Sequence, residues 1–296
     1  MDKFIQLLST PIACEVNAQN ALLASIMLSL RNGTTTEFEK ALSMQVHCRV
    51  YAINAASIDI NIASRYELDD ENLPEQSVAV LFLEGIIYPY KVFDMENMLQ
   101  RIAANPKIIG TLIFVNTPGG YVYRLNSLHD EILNSAKPVF AYVSRICFSA
   151  GMWIVSGARR IFMDDATDQI GSIGTMTTFI SLKKMFEELG ITQKDIYATL
   201  STRKNEDVRA IEQNLENDEL IIKDLDFLNS QFHEVVAKAL GLDTEQHLDE
   251  KTGVFEGAVF FRDEAIRLGL AHEKATFQQA LNSVMKEGLK VQALNI

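Results

Sequence analysis

The chain has 296 residues, 48% of them hydrophobic, which is enough for one large domain or two modest ones around a packed core. Its 39 acidic and 27 basic residues leave a formal charge of −12, which repels phosphate backbones and anionic lipid and excludes nucleic acid as an expected partner. Three widely separated cysteines, Cys14, Cys48 and Cys147, fit neither a disulfide framework nor a zinc-ligand pair, and a reducing, cytoplasmic setting is the natural home.

In chain order, the first apolar run, residues 21–30, is about half of what a bilayer span needs. No basic segment precedes it and no clean small-residue cleavage site follows, so it reads as an amphipathic or buried helix, with an export signal as the alternative and no membrane partner expected. The acidic stretch from Glu67 to Glu75 reads as a linker. Residues 1–75 are therefore expected to be a small helical region and its linker.

From Ser77 the pattern changes. Val78–Leu83, Ile108–Val115 and Pro138–Val143 are short continuous apolar runs of the kind that form buried strands, and Met95–Ala103 and Val122–Ala136 supply helices between them. Strands alternating with helices predict an α/β core with a mostly parallel sheet over residues 76–275. Farther on, Ile221, Leu225, Leu228, Phe232, Val235 and Leu240 recur every three to five residues, one face of a long amphipathic helix. Residues 276–296 form a helical tail.

Two turns after buried strands carry chemistry, at the ends where α/β sheets bind ligands. Asn116-Thr117-Pro118-Gly119-Gly120 fixes one φ angle and frees two others, so backbone N–H groups can face a reacting carbonyl as an oxyanion hole. Ser149-Ala150-Gly151, at the passage into a helix over Met152–Ala158, exposes a hydroxyl between small neighbours, with the Ala150 N–H beside it. Either turn alone is also an ordinary strand-to-helix turn or a packing site for small residues. A third turn, Gly171-Ser172-Ile173-Gly174, follows the serine. Paired carboxylates are abundant, but none has metal-ligand spacing, and no cofactor motif is visible.

The order Asn-Thr-Pro-Gly-Gly, Ser-Ala-Gly, Gly-Ser-Ile-Gly resembles the signal peptide peptidase A family of Ser–Lys serine peptidases, and its phage head-maturation (prohead) protease branch more closely. The resemblance runs from about Val78 to Glu273. It includes Gly253-Val254-Phe255-Glu256-Gly257 and the ending Ala265-Ile266-Arg267-Leu268-Gly269-Leu270-Ala271. It implies a Clp-protease/crotonase-like fold, peptide-bond hydrolysis by a Ser–Lys dyad, no cofactor, and a ring-like homo-oligomer acting on polypeptide, with phage capsid or scaffold proteins as candidate substrates.

Carried onto this chain, the resemblance makes Ser149 the nucleophile and Gly119, Gly120 and Ala150 the oxyanion hole. The family's base is a lysine in a Ser-Gly-x-x-Lys segment. Here the matching stretch is Ile196-Tyr197-Ala198-Thr199-Leu200-Ser201-Thr202-Arg203-Lys204, where an ungapped match puts Thr202 at the lysine position and a two-residue insertion restores Lys204. Lys194 is the other lysine within reach. A Clp-style triad would need His233, which reads as structural; His129 reads as a surface or supporting residue and Cys147 as a small buried hydrophobe. The rival readings are a cytosolic peptide-degrading peptidase, an acyl-CoA-using crotonase relative that does not need Ser149, and a scaffold relative that has lost its base.

Overall fold

The computed structural model describes residues 12–14, 46–51, 65–179, 181, 183–192, 194–243 and 253–294. Its centre is a parallel set of three strands, β4 (Ser77–Glu84), β5 (Ile108–Thr117) and β7 (Val139–Phe148). The connections are helical: α1 (Pro89–Ala104) joins β4 to β5, and α2 (Leu125–Leu133) precedes β7. The alternation read from the sequence is therefore the real one, with boundaries shifted by a few residues.

The continuous apolar runs are explained by burial on both faces of the sheet. Along β4, Ala79, Leu81 and Leu83 join the core beneath α1 and α2, while Val78 and Val80 join a second core beneath α8 (Phe277–Leu294). That last helix lies close because Gly288 has no side chain; a Cβ there would sit 2.5 Å from the carbonyl oxygen of Ile109.

Antiparallel strands flank the parallel centre. β2 (His47–Tyr51) pairs with β4 on one side and β3 (Arg65–Tyr66) pairs with β2. On the other side β10 (Val259–Phe261) pairs with β9 (Gln169–Gly171). The described part of residues 1–75 is thus mainly strand and turn, with β2 built into the main sheet, where helix was expected. The strand pattern is short and interrupted there, which hides its period. The run 21–30 lies outside the described residues. Among the described residues no helix is long and apolar enough to cross a membrane.

β7 forks. Its first half pairs with β8 (Ile161–Met163) and its second half with β9. The fork lies at Arg145, whose φ of 89° breaks the regular strand and whose N–H donates to Asp168 Oδ1 at 2.8 Å. Asp168 is buried, and its other oxygen accepts the N–H groups of Asp164 and Asp165. A carboxylate holding three backbone donors pins the bend that aims the end of β7 at the next residue, Ser149.

Candidate active site

Ser149 sits between β7 and the short helix α3 (Ala150–Val155) with φ 52° and ψ −116°. An L-residue pays of order 1–3 kcal/mol to hold such a conformation, so the surroundings must impose it. They do so from both sides. The Ser149 N–H donates to the Gly171 carbonyl at 2.9 Å, and the Ser149 carbonyl accepts the Trp153 N–H at 3.0 Å. The side chain, 1% exposed, donates from Oγ to the Gly174 carbonyl at 3.2 Å.

The third sequence turn is therefore the cradle of the serine. Gly171 has φ 126° and Ser172 φ 53°, and a Cβ on Gly171 would lie 2.5 Å from the Ala258 carbonyl oxygen. The Ser172 N–H donates to that same carbonyl at 2.8 Å. The Gly253–Gly257 turn, with left-handed glycines at both ends, thus braces the turn that receives the Ser149 hydroxyl.

The Pro-Gly-Gly turn lies alongside. Gly151 allows the approach, since a Cβ on it would meet Thr117 Cγ2 at 2.5 Å. Thr117 donates its hydroxyl to the Gly85 carbonyl at 2.6 Å and accepts the Gly119 N–H at 3.1 Å. Gly119, at φ 97°, turns the chain into a short strand, β6 (Gly119–Tyr121). Ile87 bridges this strand by donating to the Gly119 carbonyl at 2.9 Å and accepting the Tyr121 N–H at 2.8 Å. Backbone groups alternate sides along a strand, so the N–H and C=O of Gly120 face away from Ile87. A Cβ on Gly120 would fall on the Ile87 backbone, so only glycine fits. The Gly119 N–H is already engaged by Thr117. The N–H of Gly120 instead points to the opposite edge, where Ile12–Cys14 pairs with this strand, and Ala150, as the first residue of α3, has no intrahelical acceptor for its own.

The floor of the site is apolar. Trp153 stacks on Phe232 of α6 (Glu219–Leu240), with ring centroids 4.5 Å apart, and its Nε1 donates to Asn126 Oδ1 at 2.7 Å. Removing a ring so placed costs about 3–5 kcal/mol. The next residue, His233, packs on the Phe255 ring at 4.9 Å between centroids and hydrogen-bonds the backbone of Ile173, the residue before Gly174. Burial holds its pKa below the usual value, against that bond, and its Nε2 is buried with no hydrogen-bond partner among the described residues. The amphipathic pattern located this helix; only the fold reveals that His233 lies next to the serine's cradle.

His129 is not on the surface. It is buried, with Nδ1 3.1 Å from both the Trp153 carbonyl oxygen and Ser156 Oγ, and burial lowers its pKa. Cys147 is buried in the core and burial raises its pKa. Cys48 is also free, half-buried, and pushed up to about 12.

Lys204 lies elsewhere. It is exposed and, with Lys194, Tyr197 and Ser201, lines a shallow cavity of about 410 Å³ whose wall does not include Ser149. The hydrogen bonds of Ser149 among the described residues run to Gly171, Gly174 and Trp153, and none runs to Lys204 or Lys194. Nor do three His, Cys, Asp or Glu side chains cluster as metal ligands there.

The description of peptidase family S49 matches residues 131–292, more than half of the chain. A protein of Enterococcus faecium named as a signal peptide peptidase SppA is 24% identical over 75% of this chain and 67% of its own length. The capsid assembly protease C of Escherichia phage lambda is 28% identical over 64% of this chain. The chain spans only 42% of that phage protein. Among solved structures, ClpP1 from Listeria monocytogenes is similar at 17% identity over 68% of this chain and 94% of that one, with a TM-score of 0.44. An enoyl-CoA hydratase/isomerase family protein from Hyphomonas neptunium is similar at 17% identity over 76% of this chain and 74% of that one, with a TM-score of 0.39.

Proposed function

The chain belongs to peptidase family S49, and from that premise we propose that it hydrolyses peptide bonds with Ser149 as nucleophile, Gly120 and Ala150 N–H groups as oxyanion donors, and Lys204 as base. The observation that carries this reading is the conformation of Ser149. A buried serine forced to φ 52° between a strand and a helix, with its hydroxyl on a bare carbonyl, is strain kept for a purpose. Gly119 supplies the positive-φ turn that presents Gly120.

A substrate carbonyl placed between the two N–H groups is attacked by Ser149 Oγ. The donors stabilise the charge that develops on oxygen, an effect worth about 10²–10³ in rate for each donor. The base takes the hydroxyl proton and returns it to the leaving amine; water then releases the acyl group.

An amine that acts as the base must be neutral to accept a proton, and an ammonium in water is not. It needs cover that removes water. The segment around Lys204 carries the material for such cover: Ile196 and Leu200 are 84% and 95% exposed, and Leu215, Ile222 and Phe227 are exposed on the following elements. We assign this apolar surface to contact between copies of the chain, so that assembly dries Lys204 and brings it to a serine. The likeness to a phage capsid assembly protease supports head or scaffold proteins as substrate, in host cytoplasm or virion precursors.

The test is labelling with a fluorophosphonate, followed by peptide mapping. Labelling of Ser149 with hydrolysis of added polypeptide supports the reading. Hydrolysis that survives in Ser149→Ala would refute it, and labelling without any hydrolysis favours the scaffold reading.

A further inference from the structure

The edge of β6 that faces away from Ile87 is occupied. The segment β1 (Ile12–Cys14) lies antiparallel along it in the register Ile12 with Tyr121, Ala13 with Gly120 and Cys14 with Gly119. β1 has no place in the main sheet; β6 is its sole strand partner among the described residues.

The side of each backbone group decides what this register means. Ile87 takes the Gly119 carbonyl and the Tyr121 N–H, so the groups left for β1 are the N–H and C=O of Gly120. In an antiparallel pair those two groups exchange hydrogen bonds with the residue directly opposite. That residue is Ala13. Its carbonyl therefore accepts the N–H assigned above as an oxyanion donor, and if that donor serves Ser149, the amide that follows, Ala13–Cys14, is the bond this register offers for attack.

We propose that Ala13–Cys14 is a self-cleavage site, at which the chain's own N-terminal strand occupies the peptide track along β6 and is cut by Ser149. The inference rests on Ser149 being the nucleophile. Ser149 Oγ bonds to the Ala13 carbonyl carbon and the C–N bond to Cys14 breaks. The hydroxyl proton passes through the base to the new amine of Cys14. Water then hydrolyses the Ala13 ester, leaving a carboxylate at Ala13 and a free serine. Removing the strand opens the same edge of β6 to other extended polypeptides, which would add to it by backbone pairing.

The experiment is intact-mass and N-terminal analysis of the full chain as purified and through incubation, for wild type, Ser149→Ala and Ala13→Pro. Wild type should become a species that begins at Cys14, and Ser149→Ala should stay whole. Ala13→Pro removes the N–H that the Gly120 carbonyl accepts, and should slow cleavage at least tenfold, with hydrolysis of an added peptide appearing only as the strand is removed and the melting temperature unchanged. In a mixture, Ser149→Ala should also stay whole beside wild type. Its cutting at Ala13–Cys14 there would overturn the in-cis register, and so would equal cleavage of Ala13→Pro. Wild type that labels with fluorophosphonate and cuts added peptide, yet keeps everything before Cys14, would overturn self-cleavage while leaving the nucleophile in place. No labelling and no hydrolysis would instead remove the nucleophile, and this inference with it.

Discussion

Ser149 and Lys204 stand at opposite extremes of exposure. The serine is 1% exposed, its backbone fixed at both ends, its hydroxyl on Gly174, its cradle braced by Ala258 and its strand bent by Asp168. Lys204 is exposed in a segment where apolar side chains also face water. One half of the site is preorganised by a single chain, which avoids reorganisation during the reaction. The other half lacks the dry surroundings that an amine base needs. On the proposed function, the difference says where to look for regulation: folding would set the nucleophile and association the base.

The largest effect expected is loss of the pair. Ser149→Ala should abolish labelling and lower peptide hydrolysis by more than about a thousandfold, because a covalent nucleophile has no substitute. Lys204→Met keeps length and removes the amine, and should lose nearly as much. The double variant should lose no more than either alone, since the two act as one unit. Lys194→Met should stay near wild type. Hydrolysis at full rate by Lys204→Met would break the division between the two regions.

Gly120→Ala comes next. Its Cβ would collide with the Ile87 backbone, so β6 must shift and its N–H leaves the oxyanion position. A fall in kcat of about 10²–10³ with little change in KM is the signature of a donor used in the transition state. An equal change in KM with kcat intact would place Gly120 in ground-state binding instead.

A smaller effect is expected in the segment around Lys204. Leu200→Asp places a charge where a 95% exposed leucine stands. In the single chain it touches little, so the melting temperature should hold. If assembly dries Lys204, sedimentation should shift toward smaller species and hydrolysis should fall about tenfold or more, with recovery at high protein concentration. Unchanged assembly with unchanged activity would mean that the base is dried in some other way.

Much of this was legible in the sequence because it depends on short-range pattern. The buried strands announce themselves as apolar runs, and the glycines of the small-residue turns are there for physical reasons: Gly119 and Gly171 take positive φ, and Gly120 and Gly151 leave no room for a Cβ. The turns at Arg145 and Ser149 could not be read so, because arginine and serine give no sign of a positive φ; the fold imposes it, through Asp168 in one case and Gly171 in the other. The strands β1 and β2 were missed because a few residues carry no period, and β1 takes its position from β6, over a hundred residues away. His233 had the right helix but no visible neighbour, since its contact with Ile173 joins two distant turns of the chain.

The smallest effect expected concerns that histidine, and it tests whether the buried half truly lacks a base. His233 packs on Phe255 and bonds the backbone of Ile173, within the Gly171–Gly174 turn that receives the Ser149 hydroxyl. Burial lowers its pKa, as it does for His129 and His272. The unfolded chain therefore binds more protons than the folded one once pH falls into the ordinary histidine range. Stability must then fall as pH drops from about 7 through the unfolded histidine pKa near 6.5, and be fully kept above it. His233→Gln should flatten part of that slope, in melting scans from pH 5 to 7.5, while its hydrolysis at pH 8 stays within about threefold of wild type, as for a residue that shapes the cradle without moving a proton. A variant that melts normally but loses hydrolysis and labelling by orders of magnitude would put the base inside the buried half, on the unpartnered Nε2, and remove the need for Lys204 altogether.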